Sequence, residues 1–224
     1  MKAPMRVVVL ASGRGSNLQA LIDAQRDGRL PIRIVGVLSD KPSARALELA
    51  AAAGIPAFVC DPREATDRLA YDRSLFARIE ALEAELVVLA GFMRILDPRA
   101  FAPWLGRIIN IHPSLLPLYP GLHTHRRALE AGETRHGASV HFVTADLDGG
   151  PVIAQVGIDI LAGDTAQNLA DRLLPLEHRL LVRSVGMIAS GRLCWSSGVV
   201  CLDSRALNSP LVLEADDSLA IRPE

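Results

Sequence analysis

The sequence predicts an α/β fold: an open, mostly parallel, doubly wound sheet with an antiparallel strand pair in the C-terminal half. Half of the 224 residues are hydrophobic but only 4% are aromatic, as expected for aliphatic strands covered by helices. Short apolar runs alternate with helical segments through the first half, which is typical of a Rossmann-like βαβ series. Two further runs flank the turn sequence LDGG, so we expect them to pair.

The first half alternates five strands with four helices. The apolar run at 6–11 leads into a glycine-rich turn, and the next helix places Leu18, Leu21 and Ile22 on one face. The second helix is expected to end at Gly54. The predicted strands are 6–11, 33–38, 56–60, 85–91 and 107–112, and the predicted helices are 17–24, 43–54, 66–82 and 98–105.

The second half changes character and has longer elements. The predicted elements are strands at 136–144 and 151–158 and one helix at 165–190. That helix contains Pro175. The length of 224 residues suits one large α/β domain. We expect a single domain over 1–195 and a C-terminal extension over 196–224 that is partly mobile.

Composition excludes several classes of partner. The net charge of -1 gives no electrostatic footprint for nucleic acid or a membrane surface, and no apolar run is long enough to span a membrane. The N-terminal apolar run leads into a turn rather than a cleavage site. Cys60, Cys194 and Cys201 show no paired spacing, so we expect free thiols and a cytoplasmic location.

Two polar residues stand at the end of the fifth predicted strand. Residues 107–112 are short, β-branched and closed by Pro113, which is typical of a buried parallel strand. Asn110 and His112 alternate with apolar residues and therefore point to the same face. Buried polar groups without partners are costly. Either the fold satisfies them, or they act on a ligand at the carboxyl end of the strand, where open α/β sheets bind ligands.

A glycine-rich loop, SGRGSN at 12–17, joins the first strand to the first helix. Glycines permit close approach, and a helix N-terminus offers N–H groups to an anion, so the loop predicts a phosphate site. The alternative is a tight turn capped by Ser16 or Asn17. A dinucleotide fingerprint would need glycine in place of Leu18. Asp40, after the second strand, still leaves a dehydrogenase open.

Asp148 lies in the turn sequence LDGGP, where a purely structural role is the simple alternative. A carboxylate delivered by a turn can also pair with a histidine, raise its pKa and orient it. Asn110, His112 and Asp148 together fit acyl transfer without a protein nucleophile, since the amide and a protonated histidine stabilise an oxyanion. No Gly-x-Ser-x-Gly motif supports a covalent route.

Five of the six histidines fall within a short stretch, and they raise the question of zinc. His123 and His125 could share a face, but there is no cysteine ligand nearby and no His-Glu-x-x-His spacing. We therefore expect no metal. His136 and His178 are expected to be hydrogen-bonded structural groups.

The same residues occur together in a known family. The stretch NIHPSLLP at 110–117, followed by YPGLHTH at 119–125, resembles the motif of the folate-dependent formyltransferases. The resemblance covers about residues 5–193. It includes SGRGSNL at 12–18, LAGFMRIL at 89–96, SVHF at 139–142 and DGGP at 148–151.

The resemblance implies a reaction. A formyl group would move from the cosubstrate 10-formyltetrahydrofolate to the amine of glycinamide ribonucleotide, in purine biosynthesis. His112 would be the general acid, Asn110 would bind the formyl oxygen, and Asp148 would raise the pKa of the histidine.

The resemblance also implies where both substrates bind. Gly15, Ser16 and Asn17 would hold the ribonucleotide phosphate, and Glu177 would contact the rest of the ribonucleotide. The folate site would comprise Arg68, Met93, Arg94, Ile95, Leu96, Asn110, Thr144, Ala145, Asp146, Leu147 and Asp148. Within it, Arg68 would lie near the polar end of the folate, and the loop 144–148 would cover the pterin.

The sequence departs from the family at one helix, and three other functions remain possible. Pro175 removes a helix hydrogen bond, and Leu174 can offer a ligand only backbone groups. A formyltetrahydrofolate hydrolase or a methionyl-tRNA formyltransferase would share the polar trio, but these carry a regulatory N-terminal domain or a basic C-terminal domain that we do not expect here. A non-catalytic nucleotide- or folate-binding protein would not need the trio.

Overall fold

The computed structural model describes residues 3–196 and 198–221. The chain divides into two compact units, one ending at Asn110 and the other beginning at Ile111. The predicted α/β class, mostly parallel with an antiparallel pair in the C-terminal half, is confirmed. The single domain over 1–195 stays a prediction. Within the described ranges, no helix is long and apolar enough to cross a membrane.

The first unit contains a parallel sheet. Its strands in the described chain are β1 (Met5–Leu10), β2 (Ile32–Ser39), β3 (Ala57–Val59), β4 (Leu86–Leu89) and β5 (Ile108–His112), in the order β3-β2-β1-β4-β5. Residues 108–110 of β5 pair with β4. Residues 7–10 of β1 and the whole of β4 are almost fully buried, which explains their continuous apolar sequence.

The helices of the first unit connect these strands. They are α1 (Ser16–Arg26), α2 (Arg45–Ala52), α3 (Arg68–Ala81) and α4 (Pro98–Phe101), which continues as a 3-10 turn at Ala102–Trp104. Side chains cap two of them: Asp67 accepts the Ala70 N–H at the start of α3, and Asp97 accepts the Arg99 N–H at the start of α4. Both are favourable N-cap residues.

The second unit begins within β5 and contains two sheets. Its further elements are α5 (Thr124–Glu130), β6 (Arg135–Phe142), β7 (Val152–Asp159), α6 (Ala166–Ala189), β8 (Leu193–Ser196), β9 (Val199–Leu202), β10 (Arg205–Ala206), β11 (Leu211–Leu213) and β12 (Leu219–Ala220). β6 and β7 are antiparallel, β11 runs parallel to β7, and β12 is antiparallel to β11. β8, β9 and β10 form a separate antiparallel sheet.

Several of these elements are absent from the sequence prediction. α5 and β8 were not predicted. The strands β9 to β12 occupy the region expected to be a partly mobile extension, of which residues 197 and 222–224 lie outside the described residues. The predicted long helix is confirmed, since α6 continues through Pro175. Pro175 is exposed, so solvent can replace its missing hydrogen bond, while the buried side of α6 packs on β6 and β7.

Candidate active site

The end of β5 carries the polar anomaly that the sequence predicts. Asn110 is half-buried and His112 is buried, in a strand whose other residues are buried and apolar. The two residues alternate along the strand, so their side chains leave it on the same side. Asn110 keeps its predicted place at a strand end, and His112 leads into a cluster of charged and polar groups in the second unit.

His112 is held between two acceptors. Its Nε2 lies 3.0 Å from the carbonyl oxygen of Tyr119, and its Nδ1 lies 3.5 Å from Oδ2 of Asp148. Because a carbonyl oxygen only accepts hydrogen bonds, Nε2 carries the proton of the neutral ring. A second proton on Nδ1 would point at the carboxylate. The charged form of His112 therefore finds an acceptor at each ring nitrogen.

The pKa of His112 reflects opposing effects. Burial lowers the pKa below its ordinary value of 6.5, because the imidazolium loses solvation. The Tyr119 carbonyl and the charge of Asp148 act in the opposite direction, and His141 lowers the pKa further. The charge of Asp148 thus raises the pKa of His112, as predicted. The net pKa nevertheless lies below its ordinary value, contrary to the expectation of a raised one, because desolvation of the ring outweighs the carboxylate.

Asp148 is a stable negative charge beside two histidines. Its Oδ2 accepts a hydrogen bond of 2.8 Å from the Gly121 N–H, and its Oδ1 lies 3.6 Å from Nε2 of His141. Burial favours the neutral acid, but these polar contacts and the charges of His112 and His141 outweigh it, so the pKa of Asp148 lies below its ordinary value of 3.8. The carboxylate is ionised at neutral pH.

The turn that delivers Asp148 is conformationally demanding. Asp148 itself has φ +50°, a left-handed conformation that is uncommon outside glycine. A side chain at Gly150 would overlap the carbonyl oxygen of Phe142. The structural interpretation of Asp148 therefore holds in part. It is incomplete, because the carboxylate also reaches His112, which lies outside the turn.

His141 belongs to this cluster, although the sequence analysis gave it no role. Its Nδ1 donates a hydrogen bond to the carbonyl oxygen of Phe142 at 2.9 Å, which turns Nε2 toward Asp148. His141 is buried on β6, two residues after the buried Ser139. Polar residues at alternate positions of an apolar strand also mark the end of β5, so the same signal could have identified His141.

Tyr119 supplies the carbonyl that His112 contacts. Its φ is +53°, its hydroxyl donates to Oε1 of Glu133 at 2.7 Å, and the Arg127 guanidinium lies 5.3 Å from its ring centroid. These side-chain contacts fix the backbone that bears the acceptor. A functional backbone carbonyl has no sequence signal, which is why this residue was missed.

Two other histidines form a pair. Nε2 of His136 lies 2.9 Å from Nδ1 of His125. Burial, with the charge of His125, lowers the pKa of His136 to about 4. Across 3–196 and 198–221, no group of three or more His, Cys, Asp or Glu is arranged to hold a metal. The zinc interpretation of His123 and His125 thus lacks a third ligand, and His136 has a structural partner, as expected.

The glycine loop lies in the first unit and is shaped by close packing. Gly15 has φ +74° and occupies the N-cap position of α1. A Cβ there would lie 2.9 Å from Cα of Ala46, and the Gly13 carbonyl accepts the Ala46 N–H. The helix begins at Ser16, so the alternative of a side-chain cap by Ser16 or Asn17 is wrong. A glycine cap leaves first-turn N–H groups for an anion.

The predicted folate segment 93–96 also lies in the first unit. Met93 and Ile95 are 62% and 56% exposed, whereas Leu96 is buried. The Arg94 guanidinium lies 4.7 Å from the centroid of the Tyr71 ring. Met93 and Ile95 are two residues apart, and their exposed apolar side chains are available to an apolar ligand.

Arg68, predicted from a distant part of the sequence, joins this segment through Asp97. Its guanidinium lies 3.5 Å from Oδ2 of Asp97, the residue after Leu96. Arg99 and Arg68 together hold the pKa of Asp97 well below its usual range. The structure thus places the Arg68 guanidinium beside Asp97, at the end of the segment 93–96, and a contact of Arg68 with the polar end of the folate stays a prediction.

The remaining predicted residues lie in the second unit. Residues 144–148 form a turn after β6 in which Ala145, Asp146 and Leu147 are exposed. Glu177 is buried on α6, and Leu174 is half-buried on the same helix. Their contacts with ligands stay predictions.

The α/β fold and the polar groups around His112 occur in a chain that also matches a known family. The chain matches the family described as formyl transferase over residues 5–185. The match covers most of the chain, and the protein belongs to this family.

Individual relatives are more specific. The chain is 46% identical to the phosphoribosylglycinamide formyltransferase of Escherichia coli (strain K12), over 91% of this chain and 96% of that protein. It is 47% identical to the trifunctional purine biosynthetic protein adenosine-3 of Drosophila pseudoobscura pseudoobscura, over 84% of this chain and 14% of that longer protein. The solved phosphoribosylglycinamide formyltransferase of Coxiella burnetii matches with TM-score 0.87 and 45% identity, covering 91% of this chain and 96% of that one.

Proposed function

We propose that the protein transfers the formyl group of 10-formyltetrahydrofolate to the amine of glycinamide ribonucleotide, a step of purine biosynthesis. The observation that carries this proposal is the arrangement at His112: a buried histidine with an acceptor at each ring nitrogen, one of them the ionised Asp148. The identity to a phosphoribosylglycinamide formyltransferase along nearly its whole length supports the choice of acceptor substrate.

The chemistry follows from charge development. Attack of the amine on the formyl carbon forms the new C–N bond and places negative charge on the formyl oxygen. The Asn110 amide stabilises that oxyanion by a hydrogen bond, and protonated His112, whose N–H groups face Tyr119 and Asp148, stabilises it through its positive charge. Breaking the bond to N10 of the folate requires a proton on that nitrogen. His112 donates it, and the proton lost by the attacking amine restores the histidine.

Asp148 favours the protonated form of His112, which is the general acid. Burial alone would leave His112 neutral, and a neutral imidazole with its proton on the Tyr119 side offers no proton from Nδ1. The carboxylate offsets part of the desolvation of the charged ring, so the fraction of protonated His112 is higher than it would be without Asp148, although the net pKa stays below its ordinary value.

Substrate binding is distributed over loops. The first-turn N–H groups near Gly15, Ser16 and Asn17 hold the ribonucleotide phosphate, and Glu177 contacts the remainder of the ribonucleotide. In the first unit the folate contacts Arg68 and Met93–Leu96, and a separate part of the proposal is that it contacts residues 144–148 of the second unit. No metal takes part. Three free cysteines are consistent with a reducing cytoplasm.

An absorbance assay with 10-formyl-5,8-dideazafolate, with and without glycinamide ribonucleotide, tests the proposal. Deformylation that requires the ribonucleotide supports it. Deformylation without the ribonucleotide identifies a hydrolase, and deformylation that requires methionyl-tRNA identifies the tRNA enzyme. Binding of either compound without turnover identifies a non-catalytic binding protein.

A further inference from the structure

Ser12 connects the loops that follow three neighbouring strands. It lies just beyond β1, which pairs with β2 on one side and β4 on the other. Its Oγ donates a 2.5 Å hydrogen bond to Oδ1 of Asp40, after β2. The same oxygen accepts a 2.9 Å bond from the Met93 N–H, after β4, and the Ser12 N–H donates to the Gly91 carbonyl.

The chemistry of this junction requires a hydroxyl. Ser12 is 4% exposed and Asp40 9% exposed, so an unmatched donor or acceptor here would be costly. A hydroxyl can accept from an amide and donate to a carboxylate at the same time. Alanine at this position would remove both bonds. The contact also gives Asp40 a structural partner, which weakens its interpretation as a ribose ligand of a dehydrogenase.

We propose that Ser12 is a positioning residue for both substrates; the proposal rests on the proposed function. Ser12 is the first residue of the glycine-rich loop at 12–17, and its Oγ accepts the N–H of Met93, the first residue of the predicted folate segment. Because one side chain fixes both, displacement of either loop disturbs the other. Ser12 touches neither substrate in this role and acts through the backbone of both loops.

The variant Ser12→Ala tests the role kinetically. Loss of buried hydrogen bonds at the base of both loops should raise KM for glycinamide ribonucleotide and for the folate by about five- to thirtyfold each, the range of one such lost interaction. The value of kcat should change less, by about threefold at most, because the charged groups at His112 are untouched.

Ser39→Ala is the matched control. Ser39 is also a buried serine at a strand end, 1% exposed, but its Oγ accepts the Lys41 N–H within its own turn. Its loss should lower the melting temperature to a similar extent and leave both KM values near those of the wild type. If Ser39→Ala raises both KM values as much as Ser12→Ala, general destabilisation explains the effect and the proposal fails.

Amide hydrogen exchange gives a readout that does not depend on activity. In Ser12→Ala, peptides covering 13–17 and 91–96 should both exchange faster than in the wild type, whereas Ser39→Ala should leave them unchanged. Unchanged exchange together with KM values within twofold overturns the proposal, as does an effect confined to one loop or one substrate.

The wild-type assay separates this proposal from the proposed function. A wild type without ribonucleotide-dependent deformylation removes the function, and hydrogen exchange alone then decides whether Ser12 couples the two loops. An active wild type, with a folded Ser12→Ala variant whose KM values are normal, removes only the role of Ser12.

Discussion

The glycine loop and the His112 cluster are proposed to stabilise negative charge by different means. The loop presents backbone N–H groups at the start of α1, and its shape depends on a left-handed Gly15 packed against Ala46. The cluster uses titratable side chains, with Asp148 reaching His112 and His141. Backbone dipoles carry no proton that titrates at neutral pH, whereas the cluster depends on which groups are protonated.

Because of this difference, substrate affinity reports on the glycine loop, whereas the rate and its pH dependence report on the His112 cluster. A defect in the glycine loop should change the affinity for one substrate and should do so at every pH. A defect in the cluster should change the rate and move its pH dependence, because the pKa of His112 depends on neighbouring charges.

The largest effect is expected from Asp148→Asn, which keeps the size of the side chain and removes its charge. Without the carboxylate, the pKa of His112 falls further below its ordinary value, and a smaller fraction is protonated. We expect kcat to fall by about 10²–10⁴, with smaller changes in either KM. The basic limb of the pH–rate profile should move to lower pH.

Asp159→Asn is the control, since that carboxylate is 79% exposed; it should leave kcat and the profile unchanged. Melting temperatures of both variants show whether folding is affected. A purely structural Asp148 predicts lost stability with no shift of the basic limb. A stable Asp148→Asn variant with near-normal kcat from about pH 6 to 9 would contradict the catalytic role.

A smaller effect, confined to one substrate, is expected from Gly15→Val. A Cβ in the left-handed region is strained by about 1–2 kcal/mol, and here it would also approach Ala46. The KM for the ribonucleotide should rise about tenfold or more, and the KM for the folate should change little. The shift should be the same across the pH profile.

Gly28→Val is matched in conformation, since Gly28 has φ +69° but open space around it. It should cost stability without raising the KM for the ribonucleotide. An unchanged ribonucleotide KM in a folded Gly15→Val variant would remove the phosphate assignment.

Local patterns were sufficient for most of the fold. The alternation of apolar runs and helical segments predicts β1 to β7 and α6. Most of these elements are long or strongly patterned, and the three-residue β3 was predicted from its place in the alternation. The helix α5 was not predicted because it has only seven residues, THRRALE, of which only Thr124 and Ala128 are buried. The strands β8 to β12 were not predicted because each has only two to four residues, too few for a clear alternation of apolar and polar positions. β11 also pairs with the distant strand β7, which no local pattern can indicate.

The site was predictable where its residue types carry the chemistry. Asn110, His112 and Asp148 stood out as polar residues at a strand end and in a turn. Tyr119 contributes a carbonyl, which any residue could supply, and so gave no signal. The net pKa of His112 was also beyond prediction, because the balance between burial and the Asp148 charge depends on the folded environment.

The His125–His136 pair offers a smaller test, of how stability depends on pH. The pKa of His136 is about 4 in the folded chain and about 6.5 when unfolded. The unfolded chain therefore binds more protons between these values, and stability falls as pH drops from about 6.5 to 4, by up to about 3 kcal/mol. Urea unfolding at several pH values should show a shallower slope in His136→Gln. An unchanged slope would contradict the lowered pKa.

The smallest effect is expected from removal of metal ions. A bound metal ion would be another means of stabilising negative charge. His125 faces His136 at 2.9 Å, so one of the two facing nitrogens carries a proton and the other accepts it. A zinc ion would have to break that pair, and no cluster of three or more potential ligands occurs in the described chain. Dialysis against a chelator should leave kcat and both KM values unchanged. Loss of activity that zinc restores would show that the enzyme depends on a metal. Protonated His112 and the Asn110 amide would then not be the only groups that stabilise the negative charge.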